Sequence, residues 1–307
     1  MEGAMKVLMS GSSGFIGSAL NLELARRGHD VVRLVRSDPR PGSTSIRWDP
    51  DHGELDARQV EGFDAVVNLA GEGIGSRRWN ASHKQRILES RTRSTGLLVE
   101  TLTRLEDPPR VLLNASGIGF YGDGGERELT EESPAGKGYL AEVVRAWEGA
   151  TQPAEAAGIR VVRVRSAIVL SPQGGALKPQ LLLFRLGLGG RLGSGRQWFS
   201  WISVDDETGA IAYLLESDQA QGPYNLAAPT PVTNLEFTKT LGRVLGRPTF
   251  FAVPERVLRA VLGGEMAENL LLVSQRAVPA KLLQTGYRFR YPDLQSALRS
   301  MLGTTRT

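Results

Sequence analysis

Three glycines near the start of the chain offer its clearest chemistry. They lie in Lys6-Val7-Leu8-Met9-Ser10-Gly11-Ser12-Ser13-Gly14-Phe15-Ile16-Gly17, at the spacing G-x-x-G-x-x-G. Val7, Leu8 and Met9 make an apolar run of strand length. Ile16, Ala19, Leu20 and Leu24 then recur at helical spacing up to Gly28, a natural helix stop. The residue types suit one task. Gly11 lets the chain turn sharply off the strand, Gly14 lets backbone approach a pyrophosphate, and Gly17 lets the helix pack on the sheet. The helix start adds unpaired N–H groups and the positive end of its dipole. A glycine triplet alone is a weak signal that an ordinary strand-turn-helix also carries. Here it sits between a strand and a helix with a second strand after it, and that context predicts dinucleotide binding.

The second strand, Asp30-Val31-Val32-Arg33-Leu34-Val35-Arg36, is nearly continuously apolar, as a buried parallel strand should be. Its C-terminal end selects the dinucleotide. A carboxylate there favours NAD by binding the ribose 2′-hydroxyl, whereas an arginine accommodates a 2′-phosphate. Arg36 followed by Ser37 therefore predicts NADP(H), with NAD(H) the lesser candidate. Asp38 is the residue that would favour NAD, and the plain alternative for Arg36 is a solvated surface position.

These residues need a sheet to hold them, and the chain has the material. Its 307 residues are 41% hydrophobic and 23% charged, in the range of globular proteins and enough for one large α/β domain with a smaller one. No apolar run approaches the ~20 residues of a membrane span, so no membrane partner is expected. A strand starting at Lys6 leaves no room for a signal peptide, and Met5 is an alternative start to Met1. There is no cysteine, which excludes disulfides and thiolate chemistry and fits a cytoplasmic protein. Three scattered histidines, His29, His52 and His83, make no metal site. The net charge of +4 is mild, and no basic stripe points to nucleic acid.

Further strands are predicted at Ile46 to Trp48, at Asp64 to Gly71, at Val111 to Ser116 and at Ile159 to Leu170. Helices are predicted over Arg77 to Glu106 and Gly138 to Ala157. This alternation specifies a doubly wound parallel sheet. The expected domains are a Rossmann-type NADP-binding domain over 1–170, completed by about 204–228, and a smaller C-terminal α+β substrate domain over 171–203 and 229–307. Within the latter, Thr233 or Asn234 is the expected N-cap of a helix to Leu245, and Tyr287 to Tyr291 alternates like a strand. Small residues at Leu69-Ala70-Gly71 leave room for a ligand in the crevice at the carboxyl ends of the strands. Arg91, on the long helix, is placed either toward a cofactor pyrophosphate or on the solvated helix surface.

These residues resemble the extended short-chain dehydrogenases/reductases. More narrowly, Asn68-Leu69-Ala70-Gly71-Glu72, Phe184-Arg185-Leu186-Gly187-Leu188-Gly189-Gly190, Gly193-Ser194-Gly195-Arg196-Gln197-Trp198 and Ser274 to Leu283 resemble a subfamily of NAD(P)-dependent nucleotide-sugar epimerases with a small C-terminal domain of unknown function. The resemblance covers essentially the whole chain. It implies a Rossmann fold, an NADP(H)-dependent epimerase or oxidoreductase acting on a small sugar-like or carbonyl substrate, and a homodimer. Gly11, Ser13, Gly14, Phe15, Ile16 and Gly17 would hold the cofactor together with Arg36, Ser37, Leu69, Ala70, Gly71 and Arg91.

Members of that family use a Ser or Thr, a Tyr, and a Lys four residues after the Tyr. The Lys lowers the Tyr pKa by its charge. Ser116 matches the serine by its place at the end of the fifth strand. Tyr139 lies at the expected helix start, but Val143 stands four residues on and Lys137 precedes it. Tyr121, in the glycine-rich loop after Ser116, is an alternative proton donor, and Glu142 or Arg145 is a further candidate to line the pocket. The arginine that clamps a nucleotide-sugar diphosphate in epimerases is replaced by Phe199. Arg185, Arg191 and Arg196 are left to meet an anionic substrate, and Trp198, Phe199 and Trp201 to wall the pocket. The alternative is that these arginines are solvated and these aromatics are core. A second class of function stays open beside the enzyme, an NADP(H)-binding sensor or regulatory module with little catalysis, motivated by the missing lysine.

Overall fold

The computed structural model describes residues 3–303. Met1, and the outer limits of the domains expected from the sequence, lie outside the described residues. The elements in chain order begin with β1 (Lys6–Ser10), α1 (Phe15–Arg26), β2 (Asp30–Val35), β3 (Ser45–Arg47), β4 (Ala65–Asn68), α2 (Ala81–Leu102) and β5 (Val111–Gly117). There follow β6 (Glu128–Leu129), α3 (Tyr139–Gly149), α4 (Gln152–Ala156), β7 (Arg160–Ser166), β8 (Ile168–Leu170), α5 (Leu177–Arg185), β9 (Gly190–Leu192), β10 (Trp198–Phe199) and β11 (Trp201–Ser203). The chain then runs through α6 (Val204–Glu216), β12 (Gly222–Leu226), β13 (Val232–Thr233), α7 (Asn234–Leu245), β14 (Phe251–Val253), α8 (Glu255–Leu262), α9 (Gly264–Ala267), β15 (Arg276–Ala277), α10 (Ala280–Gln284) and α11 (Leu294–Leu302).

Seven strands form one parallel sheet in the order β12-β7-β5-β4-β1-β2-β3. Each inner strand must bury both faces, which is why β1, β4 and β5 read as unbroken apolar runs. On one face Val7, Met9, Val67 and Val162 pack under Leu20 and Leu24 of α1 and Ile211, Leu214 and Leu215 of α6. On the other, Leu8, Val66, Leu112 and Val161 pack under Leu98, Val99 and Leu102 of α2 and Ala154 of α4. Each such fully buried side chain contributes ~1.5–3 kcal/mol. The sequence order reverses between β1 and β4, so the crevice over the carboxyl ends of the strands opens there.

The C-terminal part has its own core, in which Leu177, Leu181 and Phe184 of α5 meet Phe237 and Leu241 of α7 and Leu298 of α11. Thr233 is the N-cap of α7. It closes a reciprocal capping box, accepting from the Glu236 N–H while the Glu236 carboxylate accepts from the Thr233 N–H.

Several expectations need correction. The long helix begins at Ala81, where the Asn80 side chain accepts from the His83 N–H at 2.8 Å. The predicted helix to Ala157 breaks into α3 and α4, with Pro153 in the first turn of the second. The predicted strand from Ile159 to Leu170 breaks at Ala167. β7 stays in the large sheet, while β8 pairs with β11. Tyr287 to Tyr291 is not a strand. The Arg290 and Tyr291 N–H groups donate to the Asp206 carboxylate at 2.6 and 3.0 Å, so side-chain capture satisfies backbone that a neighbouring strand would otherwise serve.

Candidate functional site

The glycine turn follows from steric demands that only glycine meets. Gly11 has φ +68°, and a Cβ there would lie 2.6 Å from the Leu69 carbonyl oxygen. A Cβ on Gly17 would sit 2.2 Å from the Gly11 carbonyl oxygen, so α1 crosses the turn at a distance no side chain permits. Gly14 is the N-cap of α1, with no side chain capping the helix. The Phe15 and Ile16 N–H groups have no protein acceptor among the described residues. That is a cradle for an anion at a helix N-terminus.

The turn opens into a groove of ≈ 850 Å³ lined by Gly11, Ser13, Gly14, Arg36, Ser37, Leu69, Ala70 and Gly71. Arg33, Arg40, Ser43, Ser45 and Trp48 line it as well. Asp38 also lines it, but its carboxylate is exposed and paired with Arg47 at 3.1 Å. The floor beneath the second strand's end is therefore arginine-rich, which suits a phosphorylated ribose. Arg33 and Arg40 went unnoticed in the sequence. Arg33 was legible as the polar interruption of an apolar strand.

Three residues of the predicted cofactor set turn their side chains away from the groove, while the Phe15 and Ile16 backbone N–H groups stay at the cradle. The Phe15 ring packs on Gly174 and Gly175, where a Cβ on Gly174 would come within 2.5 Å of it. Ile16 packs against the core. Arg91 lies beneath Gly71, where its Nη1 donates to the Ile87 and Glu72 carbonyls at 2.9 and 3.0 Å. Its guanidinium stacks 5.0 Å above Trp147, and burial lowers its pKa to about 10, so it stays charged at neutral pH. Arg91 thus supports the loop at Gly71 rather than lining the groove.

At the carboxyl end of β5, a buried polar network binds two of the three predicted hydroxyls together. The Ser116 hydroxyl donates to Glu148 at 2.6 Å. Glu148 receives both Nε and Nη2 of Arg165, at 2.8 and 2.9 Å. Arg165 Nη1 donates to the Tyr121 hydroxyl at 3.0 Å, and that hydroxyl donates to Asn225 at 2.7 Å. Tyr121 is 2% exposed, and burial pushes its hydroxyl pKa up. Tyr139 is separate. Its hydroxyl donates to the Lys84 carbonyl at 2.6 Å, and its ring meets Trp79 edge-on at 5.0 Å. Burial pushes its pKa up to about 12, against the pull of the Arg91 charge. The Lys84 ammonium lies 4.5 Å over the ring, a cation–π contact and not a partner of the hydroxyl. Glu142 and Arg145 stand exposed on the outside of α3, away from any shared pocket with Ser116.

Beside this edge lies an apolar cavity of ≈ 200 Å³ lined by Ile118, Gly119, Leu140, Ser166, Trp198, Phe199, Leu271 and Gln275, among others. No Asp, Glu, Lys or Arg lines it. Trp198 and Phe199 wall it as predicted. Trp201 does not, because it is fully buried in the C-terminal core. Arg185, Arg191 and Arg196 also do not reach it. Arg185 and Arg196 are exposed, and Arg191 donates to the Gly193 carbonyl. One feature here gave no sequence signal. The Ser166 hydroxyl donates to Glu207 at 2.5 Å, and Glu207 is fully buried with its second oxygen unpartnered among the described residues. Burial pushes its pKa up to about 8, so it is mostly protonated at neutral pH.

The sequence and fold are shared with known proteins. The NAD dependent epimerase/dehydratase family matches residues 7–227, and a domain of unknown function, DUF1731, matches residues 253–301. Epimerase family protein Mb2239 of Mycobacterium bovis is 43% identical over 95% of this chain and 96% of its own length. The crystal structure of human epimerase family protein SDR39U1 (isoform 2) with NADPH superposes with a TM-score of 0.88, at 38% identity, over 97% of this chain and 99% of that one. MoeE5 in complex with UDP-glucuronic acid and NAD shares the fold at a TM-score of 0.75 and 22% identity. With its glycine turn, parallel sheet and whole-length relatives, the chain belongs to the NAD dependent epimerase/dehydratase family, in its branch carrying a C-terminal DUF1731 domain.

Proposed function

We propose that the protein is an NADP(H)-dependent epimerase- or reductase-like enzyme acting on a small sugar-like or carbonyl substrate. The groove carries the reading, because Arg33, Arg36 and Arg40 gather at the end of β2 beside the glycine turn. Arg36 and Ser37 would take the 2′-phosphate, and the N-terminal N–H groups of α1 the pyrophosphate. The NADPH in the human relative's structure supports the same choice. When bound, the nicotinamide supplies or takes up hydride. The uncharged cavity beside β5 would hold the reacting carbonyl away from water, and Ser116, assisted by Tyr121 or Tyr139, would handle the proton.

Calorimetric titration of cofactor-stripped protein with NADP+, NADPH, NAD+ and NADH tests the cofactor reading. Arg36→Ala is expected to weaken NADPH binding about tenfold or more and to leave NADH binding unchanged. Preference for NAD(H) would shift the assignment to Asp38, and absence of binding would overturn the reading.

A second reading has its own support. The hydroxyls of Ser116, Tyr121 and Tyr139 each already donate to a protein acceptor, and no lysine follows Tyr139 at four residues. That favours an NADP(H)-binding sensor with little catalysis. NADPH consumption across a panel of sugars and carbonyls, lost in Ser116→Ala, would exclude the sensor.

A further inference from the structure

One face of the C-terminal part is left uncovered. α5 buries Leu177, Leu181 and Phe184 against α7 and turns Leu182 and Leu183 outward. Leu186 and Leu188 follow the helix and are more than half exposed, at 64% and 52%. β9 then pairs with β14, setting Phe251 opposite Gly190, where a Cβ would come within 1.9 Å of the Phe251 carbonyl oxygen. This brings Phe250, 90% exposed, and Phe251, 54% exposed, near Leu188, two residues before Gly190. Six large apolar side chains on neighbouring segments stand in water, and such clusters mark contact surfaces.

The surrounding charge is mainly positive. Residues 176–193 and 236–255 carry Lys178, Arg185, Arg191, Lys239, Arg243 and Arg247 against two carboxylates, Glu236 at the start of α7 and Glu255, which lies against Gly193. That excess of four positive charges equals the chain's whole net charge of +4, so the remainder is neutral. None of the six is ion-paired among the described residues. A second copy docked here would set these cations against their own images. Protruding apolar tips on segments with an excess of cations match a fluid anionic interface, which makes no demand on shape.

We propose that this face seats the protein peripherally on a bilayer of anionic phospholipid. Phe250, Phe251 and the four leucines enter the acyl boundary, and the six cations meet the headgroups. This is a surface contact. Among the described residues, no helix is long and apolar enough to cross a membrane.

Co-sedimentation of the full chain with vesicles of phosphatidylglycerol in phosphatidylcholine, and with phosphatidylcholine alone, tests the proposal. Binding is expected on the anionic vesicles only, falling about fivefold for each cation removed by Lys178→Gln or Arg247→Gln. The double variant Phe250→Ser, Phe251→Ser is expected to lose binding while keeping its circular dichroism and its NADP(H) affinity. No binding, equal binding to neutral vesicles, or binding that survives both kinds of variant overturns the proposal. So does a Phe250-dependent dimer, or a Phe250-dependent complex with an acidic protein, without vesicle binding.

Discussion

Replacing Glu207 by glutamine isolates the effect of one buried acid. Its ordinary pKa is 4.5, and in the fold burial raises it to about 8. The folded state therefore holds the proton more tightly than the unfolded state does. That contribution is fully present below the unfolded value and is lost as pH rises toward the folded one. Between pH 5 and pH 8 the two values give a loss of about 3–4 kcal/mol in unfolding free energy. Glutamine still accepts from the Ser166 hydroxyl and carries no proton to lose. Urea unfolding of both proteins across this range is the assay, and subtracting the curves cancels the other titrating groups. Near pH 5 the two should be within about 1 kcal/mol of each other. At pH 8 the Glu207→Gln protein should be the more stable by about 3–4 kcal/mol. Parallel curves would refute the reasoning, because they would mean that Glu207 is hydrated or finds a partner for its second oxygen.

Glu148→Ala leaves Arg165 buried without its carboxylate and should cost about 3–5 kcal/mol in urea unfolding. Replacing both residues by methionine should restore much of that loss, which separates ion pairing from packing. Gly17→Ala drives a methyl group into the Gly11 carbonyl and should destabilise by about 3 kcal/mol. It should also weaken NADP(H) binding in the same calorimetric titration, because the turn that holds the phosphates must shift.

Local rules made the first third of the fold legible. The packing of Gly17 on the Gly11 carbonyl spans six positions, and the Thr233 capping box closes within four. Where pattern misled, a distant partner decided. Tyr287 to Tyr291 alternates like a strand, but the Tyr287 ring meets Phe289 edge-on, and Asp206 takes the next two N–H groups. Trp201 has the character of a pocket wall, but β8 and α7 close over it. In the site, Gly11, Arg36 and Gly71 were readable because a strand end points at its own crevice. The Ser116–Glu148–Arg165–Tyr121 network was not, because its members are up to 49 positions apart and no local spacing announces them.

The Asp206 carboxylate also bears on what kind of part the C-terminal segment is. Held on α6 against the large sheet, it accepts from the Ser203 hydroxyl and from the backbone of Arg290 and Tyr291. The Tyr287 hydroxyl donates to its carbonyl at 3.1 Å. A chain cut ahead of this knot would leave a shielded charge with two of its three donors gone. The tail is therefore less an appended module than a keystone of the helix that grips it.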